Sequence, residues 1–300
     1  MTRVLAAGLL ACLASGCLAF HQGPMPGEPA GATFAELEGA RVRYLDTGGD
    51  GPPVVLIHGF ASALETWAAV VPVLRERHRV IALDLKGFGW SDRPEGDYSP
   101  DAEARLVLAL MDRLGVERAA LVAHSWGSSV ALALALRAPG RVSRLALYSA
   151  WVYEEQLPMF FHWSRLAGLG ELLFGLYYNE RPDERMALAF YDPAHLEQGL
   201  VDEVEAALER PGTRAAALAA ARGQRFSEVE GRYPEVRAPT LLLWGREDAV
   251  SRLPAGERLQ RELPLAELKV YPRCGHFPML EAAAESSRDL VRFLEAGGGS

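Results

Sequence analysis

The chain is punctuated by short, unbroken apolar runs, each ending in a polar or glycine-rich motif. They are Val42–Leu45, Val54–Ile57, Arg79–Leu83, Ala119–Ala123, Leu145–Tyr148, Thr240–Trp244 and Leu268–Tyr271. Strands of this kind carry apolar side chains on both faces, so both faces of their sheet must be covered. Helix-like stretches lie between them: Trp67–Arg77, Asp101–Leu114, Gly127–Arg137 and Pro278–Leu294. Strand–helix alternation predicts an α/β fold with a doubly wound, mostly parallel sheet. Ligand sites in such sheets form beyond the carboxyl ends of the strands, where the polar motifs of this chain fall.

Alternation fails between Trp151 and Tyr233. Proline and glycine cut that stretch into helical pieces over Pro158–Leu169, Glu171–Tyr178, Asp183–Phe190, Pro193–Glu209 and Thr213–Arg222. The stretch reads as a helical cap inserted between two core strands. The expected organisation is a signal segment at 1–17, a tether at 18–32, a core at 33–150 and 238–296, and a cap at 151–237. With 49% hydrophobic and 23% charged residues, the chain is too apolar for intrinsic disorder. A net charge of −8 without a run of Lys and Arg argues against nucleic acid as partner, because that binding rests on clustered positive charge.

The N-terminus reads as an address. Arg3 precedes an apolar run, Val4–Ala14, that is too short to span a membrane. Small residues and Cys17 follow. Leu13-Ala14-Ser15-Gly16-Cys17 resembles the lipobox of bacterial lipoprotein signals, which implies lipidation at Cys17, export and a membrane anchor, with the outer membrane or periplasm as the expected location. Leu9-Leu10-Ala11-Cys12 is a second match with too short an apolar segment before it. Read otherwise, the same stretch is an ordinary cleaved signal or an uncleaved anchor. The Pro- and Gly-containing His21–Ala32 is expected to be a flexible tether. Cys274 has no obvious partner, so no disulfide framework is expected.

Ala123-His124-Ser125-Trp126-Gly127 follows an apolar run and opens a helix. It departs from G-x-S-x-G only in Ala123, which is small enough for the first position. Such an elbow holds a serine in a strained turn with its hydroxyl exposed at a helix N-terminus. The plain alternative is a serine capping a helix.

The sequence resembles the α/β-hydrolase family from Val42 to Leu294, with the motifs in family order. Val54–Phe60 resembles the strand and oxyanion loop of that family, Asp84–Asp92 its D-x-x-G-x-G-x-S loop, and Gly245–Asp248 and Gly275–Phe277 its acid and base loops. The resemblance implies Ser125 as nucleophile, His276 as general base and Asp248 as the acid that orients the histidine, with Glu247 as rival for the last role. Backbone N–H groups of Phe60 and Trp126 would form the oxyanion hole. His58, His124 and Asp84 read as structural. No cofactor or metal is expected.

Aspartate-nucleophile chemistry on epoxides or halides is disfavoured by Ser125. The expected activity is cleavage of a carboxylic ester through an acyl-enzyme, on a small-molecule ester with an apolar acyl group. Cap aromatics such as Phe160, Phe161 and Phe174 either line the acyl pocket or form the cap's own core. The alternatives are a C–C bond hydrolase or perhydrolase with the same triad, or a non-catalytic binding protein on the same fold.

Overall fold

Each apolar run becomes a strand of one eight-stranded sheet: β1 (Thr33–Leu37), β2 (Ala40–Asp46), β3 (Pro53–Ile57), β4 (Arg79–Leu83), β5 (Ala119–His124), β6 (Val142–Tyr148), β7 (Thr240–Gly245) and β8 (Ala266–Tyr271). The structure is a computed structural model that describes residues 18–178, 182–196 and 198–296. The signal-like segment with Cys12 and Cys17 lies outside the described residues, as does the tail at Gly297–Ser300. Strand order is β1-β2-β4-β3-β5-β6-β7-β8. From β4 through β8 neighbours run parallel, while β1 and β2 add an antiparallel edge. The β1–β2 hairpin turns through Glu38 and Gly39, both at positive φ, the twist that suits a tight hairpin.

Successive strand residues serve opposite faces. Val55, Ile57, Leu121, Ala123, Leu145, Leu147, Leu242 and Trp244 face a layer that contains α2 (Pro100–Arg113) and α3 (Trp126–Arg137). Val54, Leu56, Ala120, Val122, Ala146, Leu241 and Leu243 face the other layer, with Trp67, α1 (Val71–Leu74) and Leu290. This two-sided burial is why the strands carry no polar alternation.

The insertion between β6 and β7 is helical: α4 (Met159–Ser164), α5 (Leu169–Tyr177), α6 (Pro182–Ala189), α7 (Gln198–Glu209) and α8 (Thr213–Gly223). After β7 come α9 (Leu253–Glu262), then α10 (Pro278–Glu281) and α11 (Ala283–Glu295) beyond β8. Two expected helices are broken. Trp67–Arg77 resolves into a 3-10 turn at Leu64–Trp67 and the short α1, and Pro278–Leu294 is split at Ala282, whose φ is −120°.

The expected flexible tether is instead strapped to the core. His21 and Arg93 exchange backbone hydrogen bonds of 2.9 and 2.8 Å. The N–H of Gly23 donates to Asp92 at 3.0 Å, Met25 is buried, and Glu28 pairs with Arg41 at 2.6 Å. Proline and glycine here shape turns that follow the surface, and partners far along the chain hold them.

Candidate active site

The end of β5 sets the serine. Ser125 has φ 52° and ψ −123°, a strained conformation for a residue with a Cβ. Three backbone bonds enforce it: Ser125 N–H donates to Tyr148, and Trp151 and Ser128 donate to the Ser125 carbonyl, at 2.9, 3.1 and 2.9 Å. The turn lets α3 begin at once at Trp126, whose N–H is an orphan of the first helical turn. Gly127 must be glycine, because a Cβ there would lie 2.4 Å from the His58 carbonyl oxygen. Ala123, in the position of the first glycine, is a fully buried β5 residue with room for its methyl group.

His276 follows β8 and reaches back over the sheet. Its Nε2 lies 3.0 Å from Ser125 Oγ, and its Nδ1 lies 2.9 Å from Asp248 Oδ2. Asp248 Oδ1 also accepts from the N–H groups of Val250 and Ser251 at 2.9 and 2.8 Å. All three side chains are buried. The structure thus brings Ser125, His276 and Asp248 into one relay. Glu247 points elsewhere, accepting from the Cys274 N–H at 3.1 Å.

Gly59 lies directly against the serine: a Cβ on it would sit 3.1 Å from Ser125 Cβ. The next residue, Phe60, packs its ring edge-on to Trp126 at 6.1 Å. The two backbone N–H groups expected to face an oxyanion, those of Phe60 and Trp126, therefore belong to loops in contact across the serine. His58 holds the first loop. Its Nδ1 is 2.7 Å from the Gly59 carbonyl and donates to it, and its Nε2 accepts from Leu85 N–H at 2.9 Å. Burial pushes its pKa down to about 4, which keeps it in this neutral, one-donor form. Asp84 ties the next loops together, accepting from Leu64 and Trp90 N–H at 2.8 Å each. Burial raises its pKa to about 6 against the pull of Arg43.

Two supports escape a reading by motif. His124, read as structural from the sequence, turns under the histidine loop. Its Nε2 lies 2.9 Å from the His276 carbonyl oxygen, and the two rings are 4.8 Å apart. The cap also reaches the histidine: His276 N–H donates to the Ala189 carbonyl at 2.7 Å, at the end of α6. The Glu281 carboxylate accepts from Gly275, Phe277 and Tyr191 N–H at 3.0, 3.2 and 2.7 Å, and Phe190 stacks on Phe277 at 4.9 Å. Backbone partners of this sort leave no spacing signal in a sequence.

A family profile described as alpha/beta hydrolase fold matches residues 52–283. The chain belongs to the α/β-hydrolase fold family. It is 33% identical over 290 residues to the dihydrolipoyllysine-residue acetyltransferase component of an acetoin cleaving system from Pseudomonas putida, covering 91% of this chain and 70% of that protein. It is 34% identical over 276 residues to a 2-hydroxy-6-oxononadienedioate/2-hydroxy-6-oxononatrienedioate hydrolase from Paraburkholderia phymatum, covering 86% and 93%. Among solved structures, a meta-cleavage product hydrolase from Pseudomonas fluorescens superposes with a TM-score of 0.76 at 28% identity, covering 88% of this chain and 97% of that one.

The cap aromatics of this hydrolase divide between the two expected roles. Phe174, Tyr178 and Phe190 are buried in packing, while Trp163 is half-exposed. Phe161 packs on Phe60 at 5.3 Å and so walls the oxyanion loop. A cavity of about 990 Å³ opens behind the cap, lined by Leu18, Phe20, Tyr98, Leu218, Phe226 and Tyr233 among others. Ser125 does not line it, so it is separate from the relay. Among the described residues no cluster of three His, Cys, Asp or Glu could hold a metal ion.

Proposed function

We propose that Ser125 is a nucleophile that adds to a carbonyl carbon, and that the bond cleaved is a carbon–carbon bond in a 2-hydroxy-6-oxo-dienoate type of substrate. The observation that carries the nucleophile is the relay Ser125 Oγ–His276 Nε2 at 3.0 Å with Asp248 on Nδ1 at 2.9 Å. Support for the bond type comes from the relatives that act on such dienoates and cover most of this chain.

A serine hydroxyl is a weak nucleophile until a base takes its proton. His276 Nε2 accepts that proton as Oγ adds to the carbonyl. Negative charge then develops on the carbonyl oxygen, which faces the Phe60 and Trp126 N–H groups. Preorganised donors of this kind act where charge appears, and removing one costs about 10²–10³ in kcat. The substrate reacts in its keto tautomer, in which the 2-hydroxyl proton has moved to C5; as the tetrahedral adduct collapses, the C5–C6 bond breaks and its electron pair is taken up through C3=C4 into the C2 carbonyl as a dienolate. The proton on His276 goes to that leaving group. Water then adds to the acyl-serine, gives its proton to His276, and the acid leaves as Ser125 regains its proton. Asp248 holds the ring in the Nδ1–H tautomer and stabilises its charged form throughout.

Ester hydrolysis is the second reading, and one observation favours it: the rings of Phe60 and Phe161, 5.3 Å apart, form an apolar wall at the oxyanion loop, which suits an acyl chain. An alkoxide needs no conjugation to leave, so both reactions use the same adduct. The test is turnover of a 2-hydroxy-6-oxo-dienoate, followed by loss of its visible absorbance, beside p-nitrophenyl esters of rising chain length. A higher kcat/KM on the dienoate is the expected result, and turnover of the esters alone transfers the assignment to the second reading. Ser125→Ala is expected to lower both activities on the order of 10⁴–10⁶, and a variant keeping more than about a tenth of wild-type rate overturns the serine mechanism.

A further inference from the structure

We propose that Gln224 closes the acyl pocket with a pair of hydrogen-bond donors, and that the protein selects acyl groups ending in a carboxylate. Gln224 is fully buried at the carboxyl end of α8. Its Oε1 accepts from the Trp151 indole Nε1 at 3.0 Å. An indole N–H only donates, so the oxygen must face it and the amide cannot be turned round. The two N–H groups of Nε2 then face away from Trp151 and meet no acceptor among the described residues. Nε of Arg165 is likewise buried without an acceptor, while the same guanidinium donates to the Gln224 carbonyl oxygen and, at 2.6 Å, to Glu154. Buried donors are nearly always paired, because leaving one dry costs its full desolvation. Two such donors gathered at one residue mark a place for an oxygen that the chain does not supply.

Two contacts put Gln224 beside the nucleophile. The N–H of Trp151, whose ring bonds Gln224, donates to the Ser125 carbonyl at 3.1 Å. Phe161 and Arg165 are one turn apart on one face of α4. Phe161 packs on Phe60 of the oxyanion loop, and Arg165 holds Gln224. The proton fixes the side of the serine. His276 delivers it to the leaving group, so the leaving group lies on the His276 side, where Ala189 and Tyr191 support the loop. The acyl group lies on the other side, along the wall of Phe60 and Phe161, in the half of the cap that carries Gln224.

The apolar wall holds the length of such a group, and the amide reads its end. A carboxylate accepts from Nε2 and gains from the Arg165 charge, since hydrogen bonds to ionised groups are the strong ones. A methyl end leaves the donors dry. A site built to bond an oxygen rejects the analogue that lacks it more sharply than an apolar pocket rejects a change of bulk. The proposal rests on Ser125 as nucleophile and not on the bond cleaved, because carbon–carbon and ester cleavage both leave the acyl group on the serine.

The test compares matched substrates on the full-length chain: 2-hydroxy-6-oxo-dienoates with 2-carboxyethyl or propyl on C6, and mono-p-nitrophenyl adipate beside p-nitrophenyl hexanoate. In the series it turns over, the wild type is expected to favour the carboxylate member by about tenfold or more in kcat/KM. Gln224→Met, of similar length but without donors, is expected to remove that preference, mostly through a raised KM on the carboxylate member. Gln224→Glu keeps the oxygen that Trp151 needs and is expected to turn against the carboxylate; it decides alone if Gln224→Met loses its far-UV dichroism. The same carboxylate-to-methyl ratio in wild type and Gln224→Met assigns the donors to a bound water and overturns the proposal, as does a wild-type preference for the methyl member. Calorimetric binding of adipate against hexanoate to Ser125→Ala reads the same subsite without turnover, and equal affinities there overturn it too. Absence of turnover in both series, with tighter binding of adipate, refutes the nucleophile and upholds the subsite.

Discussion

Gly127→Ala separates intrinsic preference from packing at the active site. Alanine is the best helix former and glycine a poor one, so an isolated α3 would gain about 1 kcal/mol from the change. The contacts point the other way. A Cβ at Gly127 would lie 2.4 Å from the His58 carbonyl oxygen and 2.6 Å from that of Ile57, where ordinary contact begins near 3.4 Å. Both oxygens are backbone at the end of β3 and cannot rotate aside. The start of α3 must therefore move about 1 Å from the His58–Phe60 loop, taking the difference between 3.4 and 2.4 Å. Those two segments carry the Trp126 and Phe60 N–H groups, so the shift opens the space between the donors. A misplacement of about 1 Å can cost 10²-fold in rate, and overpacking of this kind typically costs about 1–3 kcal/mol of stability. The expected outcome is a kcat lowered on the order of 10²-fold with a much smaller change in KM. The unfolding midpoint is expected to fall despite the better helix residue. Steady-state kinetics and denaturant unfolding measure the two parts. A kcat within about threefold of wild type, with unchanged or raised stability, would refute the proposed coupling of α3 to the oxyanion loop.

Four other changes have defined outcomes. Asp248→Asn is expected to lower kcat on the order of 10⁴-fold, because the amide favours the wrong imidazole tautomer; Glu247→Gln is expected to leave the rate nearly unchanged, and steady-state kinetics on the pair reads both. Glu103 is buried with Oε1 unpartnered, and burial raises its pKa from 4.5 to about 8. A raised folded pKa gives a contribution that is full below the unfolded value and lost as pH rises toward 8, so wild-type stability is expected to decline over that window and Glu103→Gln to flatten the decline in urea midpoints taken from pH 5 to 9. Glu281→Ala takes an acceptor from three backbone N–H groups and is expected to cost about 2 kcal/mol in denaturant unfolding, with a lowered kcat.

The sheet was legible because its strands are buried on both faces, and a strand such as Ala119–His124 then has no polar alternation to confuse it with a surface element. Ser125 and His276 were legible because the elbow and the histidine loop need small residues at particular spacings, which leave a pattern. Asp248 was separated from Glu247 by family register, and the structure adds the reason: Val250 and Ser251 donate to the aspartate. The strap at His21–Ala32 was misread because its composition speaks of turns and says nothing about Arg93 or Asp92 far along the chain. β1 was missed because Thr33–Leu37 lies at the sheet edge and mixes exposed with buried residues. The partner of His124 stayed hidden because it is a carbonyl oxygen, and every residue has one.

The hydrogen bond from His276 N–H to the Ala189 carbonyl has a consequence for how new variants of this enzyme arise. A cap is commonly treated as an exchangeable module that sets substrate choice above an unchanging core. Here residues 189–191 complete the backbone support of the histidine loop, through Ala189, the Phe190–Phe277 stack and the Glu281–Tyr191 bond. A graft or deletion that removes residues 189–191 would leave His276 without one of its supports, whatever substrate the new cap admits. The natural seam for recombination therefore runs after Tyr191, not at the end of β6.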